Sequence, residues 1–257
     1  MSSKESKRSA REQLAEQRRQ QAAADKRKQT ITNTIIVVVV VVVVVGLFVA
    51  VQSSRTKAPA SAALPATVTA QGGGVPFGTG PVTVDVWEDF QCPACKQFEA
   101  TNADTLKQQA LANQIKLVVH PLSFLDAPTK LNNTSSVRAA NAFACAAGTG
   151  EQQTLDFHQL LYQKQPAENP GTEAWSDDDL IAYAKSAGIT GSQFESCVKD
   201  GTYNAWVQQI AAAGVDAGIS STPTVYINGN KVDDKTLGTF FTDPKALPAA
   251  ITAASQS

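Results

Sequence analysis

Cysteine and histidine are scarce in this chain, with four and two copies in 257 residues, and only Cys92 and Cys95 stand close together. A structural zinc site needs four ligands. The candidates outside that pair are Cys145, Cys197, His120 and His158, none of them in a second close pair, so no metal site is expected. No block of fixed period recurs, so nothing suggests a solenoid or repeat array. An excess of charge is also missing, since the formal net charge is −1. That near-neutral total hides an asymmetry. Residues 1–30 hold nine basic side chains (Lys4, Lys7, Arg8, Arg11, Arg18, Arg19, Lys26, Arg27, Lys28) against four acids, and the rest of the chain is acidic. No aromatic residue interleaves with those basic groups, which speaks against nucleic acid as a partner, and the segment lacks the apolar residues to build a core. It reads as a cytoplasmic tail.

What the chain does have is an uninterrupted apolar run, Ile35 to Val51, with nine consecutive valines and with Ile31 and Thr34 able to extend it. About 20 residues span a bilayer, with about 17 as the lower edge. Valine is a poor helix former in water, but a lone segment in hydrocarbon can satisfy its backbone only as a helix. Residues 31–51 are therefore expected to be a transmembrane anchor. A cleaved signal peptide is the alternative, because Ala60-Ser61-Ala62 has a small-x-small pattern, though it lies far beyond the run. With the positive charge ahead of the span, the amino end is expected inside and everything after Val51 outside the cytoplasm, on a single-pass protein of the cell membrane. Residues 52–80 are rich in Ala, Ser, Thr, Pro and Gly and read as a flexible linker reaching on the order of 30 Å.

From residue 81 onward the chain reads as a folded domain. Val82 to Trp87 alternates like a strand, and a helix is expected from Pro93. Ile115 to His120 is a second strand pattern, expected to halt at Pro121. An Ala-rich helical stretch then runs over about 129–217. Ser176 with Asp179 and Ser192 with Glu195 match capping boxes, and Gly188 is placed to end the helix that Ser176 begins. Strand character returns at Thr224 to Ile227, Asn228-Gly229 marks a hairpin, and Asp243-Pro244 looks like the opening of a closing helix.

Cys92-Pro93-Ala94-Cys95 falls where that first helix begins. The spacing sets the first sulfur at the exposed helix end and the second one turn in, so Cys92 is the group open to attack. Free amides and the macrodipole at a helix start favour a thiolate, and Pro93 forfeits no helical hydrogen bond there. Lys96, Glu88 and Asp89 are close enough in sequence to tune the pair. Cys92 is expected to exchange with a client disulfide or thiol, and Cys95 to resolve the mixed disulfide. A zinc site or a purely structural bridge remains the bland reading of the same pair. Cys145 and Cys197 most simply pair as a structural disulfide in an oxidising compartment, the alternative being a second shuttling pair. His120 and His158 are expected to be structural.

With Trp87-Glu88-Asp89-Phe90-Gln91-Cys92-Pro93-Ala94-Cys95-Lys96 after a strand, a helical stretch after the second strand and Thr222-Pro223-Thr224 before the hairpin, residues 81–257 resemble the DsbA-like branch of the thioredoxin superfamily. The resemblance implies an α/β thioredoxin fold with an inserted all-helical domain. It also implies a cis Thr222-Pro223 bond beside the sulfurs, with Thr222 and Pro223 binding an extended client segment. Membrane-anchored members with a further cysteine pair in the insertion are reoxidised by a quinone-linked membrane protein, DsbB-like or of the vitamin K epoxide reductase type. Two positions depart from the family: Ala94 stands where the strongest oxidants have histidine, and Val86 stands where an acid often lies six residues before the first cysteine. Both bear on the redox potential.

The function expected on these grounds is oxidation of cysteine pairs in exported proteins, with no cofactor beyond the cysteines. A membrane-fed reductase or isomerase, and a client-holding module without redox turnover, are the alternatives.

Overall fold

The computed structural model describes residues 61–256, so the basic tail, the valine run and the start of the linker lie outside the described residues. Among those residues no helix is long and apolar enough to cross a membrane.

Strand β2 (Val82–Asp89) lies parallel to β3 (Ile115–Leu122), with Val82 opposite Ile115 and Asp89 opposite Leu122. Parallel neighbours need a crossover, and helix α1 (Pro93–Leu111) supplies it. Its buried residues Cys95, Phe98, Glu99, Asn102, Leu106 and Ala110 recur at helical spacing and form one inward stripe. On the other side of β2, strand β4 (Thr224–Ile227) runs antiparallel and turns back through Asn228-Gly229 into β5 (Asn230–Lys231). Both turn residues have positive φ, 49° and 76°, as that two-residue turn demands. Strand β1 (Val75–Phe77) pairs antiparallel with β3 at the opposite edge, giving the order β1-β3-β2-β4-β5.

Five helices lie between β3 and β4: α2 (Ser135–Ala146), α3 (Glu151–Gln163), α4 (Asp177–Ser186), α5 (Ser192–Lys199) and α6 (Asn204–Asp216). The thioredoxin-like α/β sheet thus carries the helical insertion that the composition suggested. Helix α2 is its centre, because Ala139, Ala140, Ala142, Ala144 and Ala146 are all buried and let neighbouring helices approach closely. Buried Asn141 accepts from the Tyr203 amide at 2.8 Å and donates to the Val198 carbonyl at 3.2 Å, fixing the corner between α5 and α6. Helix α6 covers one face of the sheet at Trp87 and Leu122, which its Gly214 approaches. Helices α1 and α3 cover the other. Two short helices, α7 (Asp234–Phe240) and α8 (Ala246–Ala254), close the chain.

Several expectations change. The linker reading fails from residue 61 onward: Pro65 and Val68 are buried, the Trp206 indole donates to the Gly73 carbonyl at 3.1 Å, and β1 lies within residues 52–80. Its return toward β2 needs glycine at Gly78, where φ is +66° and a Cβ would stand 2.3 Å from the Ala110 carbonyl oxygen. Strand β3 does not halt at Pro121. Its neighbour β1 reaches only to Val119, so past that point one side of β3 has no ladder for proline to interrupt. The Ser176 capping box is present, but Ser192 is already the first helical residue, behind Gly191 at φ +119°. Asp243 accepts from the Lys245 amide at 2.9 Å in a turn, and α8 opens only at Ala246. The cap with helix-opening effect is Asp233, which accepts from the Lys235 and Thr236 amides at the head of α7.

Candidate active site

The end of β2 delivers the chain to Cys92, which stands in extended conformation as the N-cap of α1, with Pro93 in the first turn. The Cys92 amide donates to the Asp89 carbonyl at 2.9 Å, closing a tight turn between strand and helix. The two sulfurs are unlike. Cys92 keeps 9% of its surface exposed and Cys95 none, so only Cys92 is reachable by another molecule's sulfur. Both are thiols, whereas Cys145 and Cys197 are joined by a disulfide that ties α2 to α5.

Across from Cys92 the Thr222-Pro223 peptide bond is cis, and the Thr222 carbonyl oxygen lies 3.5 Å from Cys92 Sγ. The antiparallel register of β2 and β4 puts Trp87 opposite Thr224 and so brings this loop level with the end of β2.

The Cys92 thiol is lowered to about 6. The hydrogen bond from the Cys95 thiol is the largest cause; burial opposes it, and Thr222 with the backbone amides of Cys95 and Ala94 adds to it. Ala94 therefore contributes through its N–H, and the thiolate is favoured without a histidine in the dipeptide. Cys95 moves the other way, pushed well above the ordinary thiol range first by burial and then by its hydrogen bond to Cys92 and the charges of Cys92 and Glu88. Lys96 takes no part: its ammonium donates to the Gln165 carbonyl at 3.0 Å.

The two acids expected to tune the pair sit on opposite sides of the β2 end. Asp89 is fully buried and accepts from the Gln91 amide at 3.0 Å, the Leu125 amide at 3.0 Å and the Ser136 hydroxyl at 2.6 Å. Burial outweighs those bonds and raises its carboxyl to about 7. Glu88 is also fully buried, and its Oε1 is hydrogen-bonded to His158 Nε2 of α3. The other face of the same imidazole, Nδ1, lies 3.7 Å from Glu99 Oε2 on α1. Burial and then the charge of Glu88 raise Glu99 to about 8. Burial alone would lower His158, but Glu88 and Glu99 outweigh it and raise the imidazole to about 9. These three side chains bring their donor atoms within 4.8 Å of one another, the arrangement nearest to a metal site among the described residues. The direct hydrogen bond between Glu88 and His158 leaves no room for an ion between those two donors, so the group fits a shared proton better than a cation.

Sequence reasoning missed three contributors. His158 is the first, since it looked like one more residue on a helix face. The signal was Glu99, an acid on the buried stripe of α1 that needed a partner. Gln165 is the second: its side-chain amide donates to the Phe90 carbonyl at 2.7 Å and the Cys92 carbonyl at 3.0 Å. The third is Gln91, whose Nε2 lies at 2.8 Å from Ser136 Oγ and 2.9 Å from Asp126 Oδ1. Nothing local marks either glutamine. His120, by contrast, stays structural, stacked on Trp87 with centroids 3.9 Å apart and paired with Asp85 at 2.9 Å.

The thioredoxin family model matches residues 78–242, which take in β2, the cysteine pair, the insertion and the cis-proline loop. The chain belongs to the thioredoxin family. Among solved structures, oxidised DsbA of Mycobacterium tuberculosis is 25% identical and superposes with a TM-score of 0.55, covering 70% of this chain and 99% of that one. The probable disulfide bond formation protein D of Bacillus cereus is 25% identical over 153 residues, 58% of this chain and 67% of that protein. The serine/threonine-protein kinase PknE of Mycobacterium tuberculosis is 29% identical over 124 residues, 47% of this chain. The chain spans only 21% of that kinase's length, so the likeness concerns one part of it.

Proposed function

We propose that this thioredoxin-family chain is a membrane-tethered thiol-disulfide oxidoreductase that oxidises cysteine pairs of exported proteins through Cys92 and Cys95. One observation carries the reading: an accessible thiol lowered to about 6 stands beside a buried one raised well above the ordinary range, facing a cis-proline loop. A stabilised Cys92 thiolate favours the reduced form of the centre, and a centre that prefers to be reduced takes electrons from client dithiols. The likeness to a Bacillus cereus protein named as a probable disulfide bond formation protein supports the same direction.

In the proposed cycle the client thiolate attacks Cys92 Sγ of the oxidised pair, and the Cys92–Cys95 bond breaks. The second client thiol then attacks its own sulfur in the mixed disulfide, and Cys92 leaves as a thiolate. Two electrons pass from client to enzyme. Thr222 and Pro223 offer backbone to an extended client segment. The valine run and the charge ahead of it support a site outside the cytoplasm, and a quinone-linked membrane protein of DsbB-like or vitamin K epoxide reductase type is the reoxidant proposed.

The test supplies the oxidised full-length chain in detergent with a reduced client that bears a cysteine pair. Client disulfides are expected to appear stoichiometrically with wild type and not with Cys92→Ser. Unchanged oxidation by Cys92→Ser would sink the proposal.

A further inference from the structure

Beside Cys92 lies a pocket of about 190 Å³ that the exchange steps above leave unused. Its polar border is Gln91, Gln165, Glu168, Asn169, Thr172 and Glu173, so it sits between the cysteine loop and the segment that joins α3 to α4. Sites for drug-sized ligands run to about 300–1,000 Å³, so this one has room for a single side chain. Among the described residues no basic side chain borders it.

The floor is fixed by two glutamines. Gln91 Nε2 is bonded to Asp126, Asn133 and Ser136. Gln165 is only 7% exposed and commits its Nε2 to the Phe90 and Cys92 carbonyls. Its Oε1 takes no donor among the described residues and is not sealed in the interior, and the open space that Gln165 borders is this pocket. An acceptor left without a donor in so enclosed a side chain favours an incoming N–H. The Cys92 carbonyl oxygen and Sγ belong to one residue and lie within about 5 Å of each other, so the Gln165 amide, 3.0 Å from that carbonyl, is within about 8 Å of the reactive sulfur. A client residue one or two positions from its cysteine stands about 3–7 Å along an extended chain, and a long side chain covers the rest.

The rim is held and acidic. The Gly171 amide donates to the Leu131 carbonyl at 2.6 Å, and the Asn133 side chain donates to the Thr172 carbonyl at 2.9 Å. Glu173 is already engaged: Thr134 and Ser135 donate to it, and the Arg138 guanidinium lies 3.8 Å away. Glu168 is exposed and has neither an ion pair nor a hydrogen bond among the described residues, so it is the free charge of the rim. A guanidinium or ammonium group suits both the charge and the waiting acceptor. A client carboxylate would meet Glu168, and an apolar side chain would leave Gln165 Oε1 without a donor.

We propose that this pocket is a client subsite for a basic side chain, arginine or lysine, within two residues of the client's reactive cysteine, with Glu168 supplying the charge and Gln165 Oε1 the hydrogen-bond acceptor. The inference rests on the thiol-exchange reading above and names the clients that the site prefers. A basic side chain seated here holds the client sulfur near Cys92 Sγ and raises the rate of encounter, and the exchange steps themselves are unchanged.

The test uses the oxidised full-length chain in detergent and reduced peptides, each with one cysteine pair, that carry Arg, Lys, Ala or Glu at a single position within two residues of a cysteine. The single-turnover rate constant for oxidation of each peptide is divided by that peptide's rate with a small disulfide in free solution, which removes the effect of the neighbouring charge on the thiol itself. At one position or more, the Arg and Lys peptides are expected to exceed the Ala peptide by about fivefold and the Glu peptide by more. Glu168 is exposed, so its replacement disturbs no core contact. The preference should shrink to within about twofold in Glu168→Gln, turn toward the Glu peptide in Glu168→Lys, and weaken as salt rises from about 0.05 to about 0.5 M. Glu195→Gln, which removes the same charge from an exposed position on α5, should keep the preference. Equal normalised rates across the peptides in wild type, a preference that Glu168→Gln leaves at full size, or one that Glu195→Gln abolishes equally would overturn the subsite and leave thiol exchange standing. Failure of the wild-type chain to oxidise any of the peptides would overturn thiol exchange itself and the subsite with it.

Discussion

Gln165 holds Cys92 from the helical insertion: its side-chain amide, just past the end of α3, donates to the Cys92 carbonyl at 3.0 Å and to the Phe90 carbonyl at 2.7 Å. The loop that carries the reactive sulfur is therefore anchored by the helical insertion as well as by its own strand and helix. Replacing Gln165 by Ala removes the side-chain donor from the Phe90 carbonyl, while the Cys92 carbonyl keeps its bond from the Lys96 amide at 3.1 Å. Leaving such a buried group unpaired costs about 1–3 kcal/mol. Urea denaturation of Gln165→Ala should show a loss of that size. A midpoint equal to wild type would mean that water replaces the amide and that the anchor is dispensable.

Cys92 should titrate early. Its thiolate is expected to form with a midpoint near about 6, followed by ultraviolet absorbance of the reduced chain or by the pH dependence of alkylation. Cys95→Ala, which removes the side-chain donor, should move that midpoint upward, because the hydrogen bond from the Cys95 thiol is the largest of the stabilising contacts. A midpoint that stays near that of an ordinary thiol in the wild-type chain would remove the asymmetry on which the proposed function stands.

Stability should decline as the solution becomes alkaline. Asp89, Glu99 and His158 all have folded values above their ordinary ones, at about 7, 8 and 9. In each case the folded chain keeps a proton that the unfolded chain has already lost, so the slope of unfolding free energy with pH is negative. For the two acids the loss begins above the ordinary carboxyl range and is complete past the folded value. For His158 the contribution is full below its ordinary value and is lost as pH passes about 9. Thermal midpoints of Cys92→Ala, which lacks the lowered thiol whose linkage runs in the opposite sense, measured from about pH 5 to about pH 9 should therefore fall. A midpoint that climbs over this range would contradict the protonation of the cluster.

The Cys145–Cys197 bond closes a loop with a sequence separation of 52. On the chain-entropy model such a link contributes about 4 kcal/mol. Cys145→Ala with Cys197→Ala should lower stability by that order and leave the rate of Cys92 alkylation unchanged. A change in that rate would instead point to traffic between the two pairs.

The cysteine spacing, the strand before it and the proline after it were legible because each is a local matter: hydrophobic alternation, turn chemistry and a helix start depend on neighbours in the chain. The same locality explains the errors. Ser192 matched a cap by spacing, but the positive φ of Gly191 set the helix start one residue earlier than the pattern implied. Pro121 stopped nothing because β1 ends before reaching it, and that depends on a partner strand. Residues 61–80 looked like linker by composition, while Trp206 and β3 supplied the pairing that ordered them.

By itself, then, the sequence determined the reactive pair, its direction of exposure along a helix start, and the sheet-and-insertion order around it. Only the tertiary structure decided how the two sulfurs differ in acidity and what lies behind them. Burial and hydrogen bonding act through space, so the lowered Cys92 depends on Thr222 from beyond the insertion. The buried Cys95 depends on Glu88, whose partner His158 stands 70 residues away in the chain. Ala94 offers no histidine to the thiolate, yet two backbone amides, Thr222 and a neighbouring thiol supply the stabilisation, and none of these is written in the identity of residue 94.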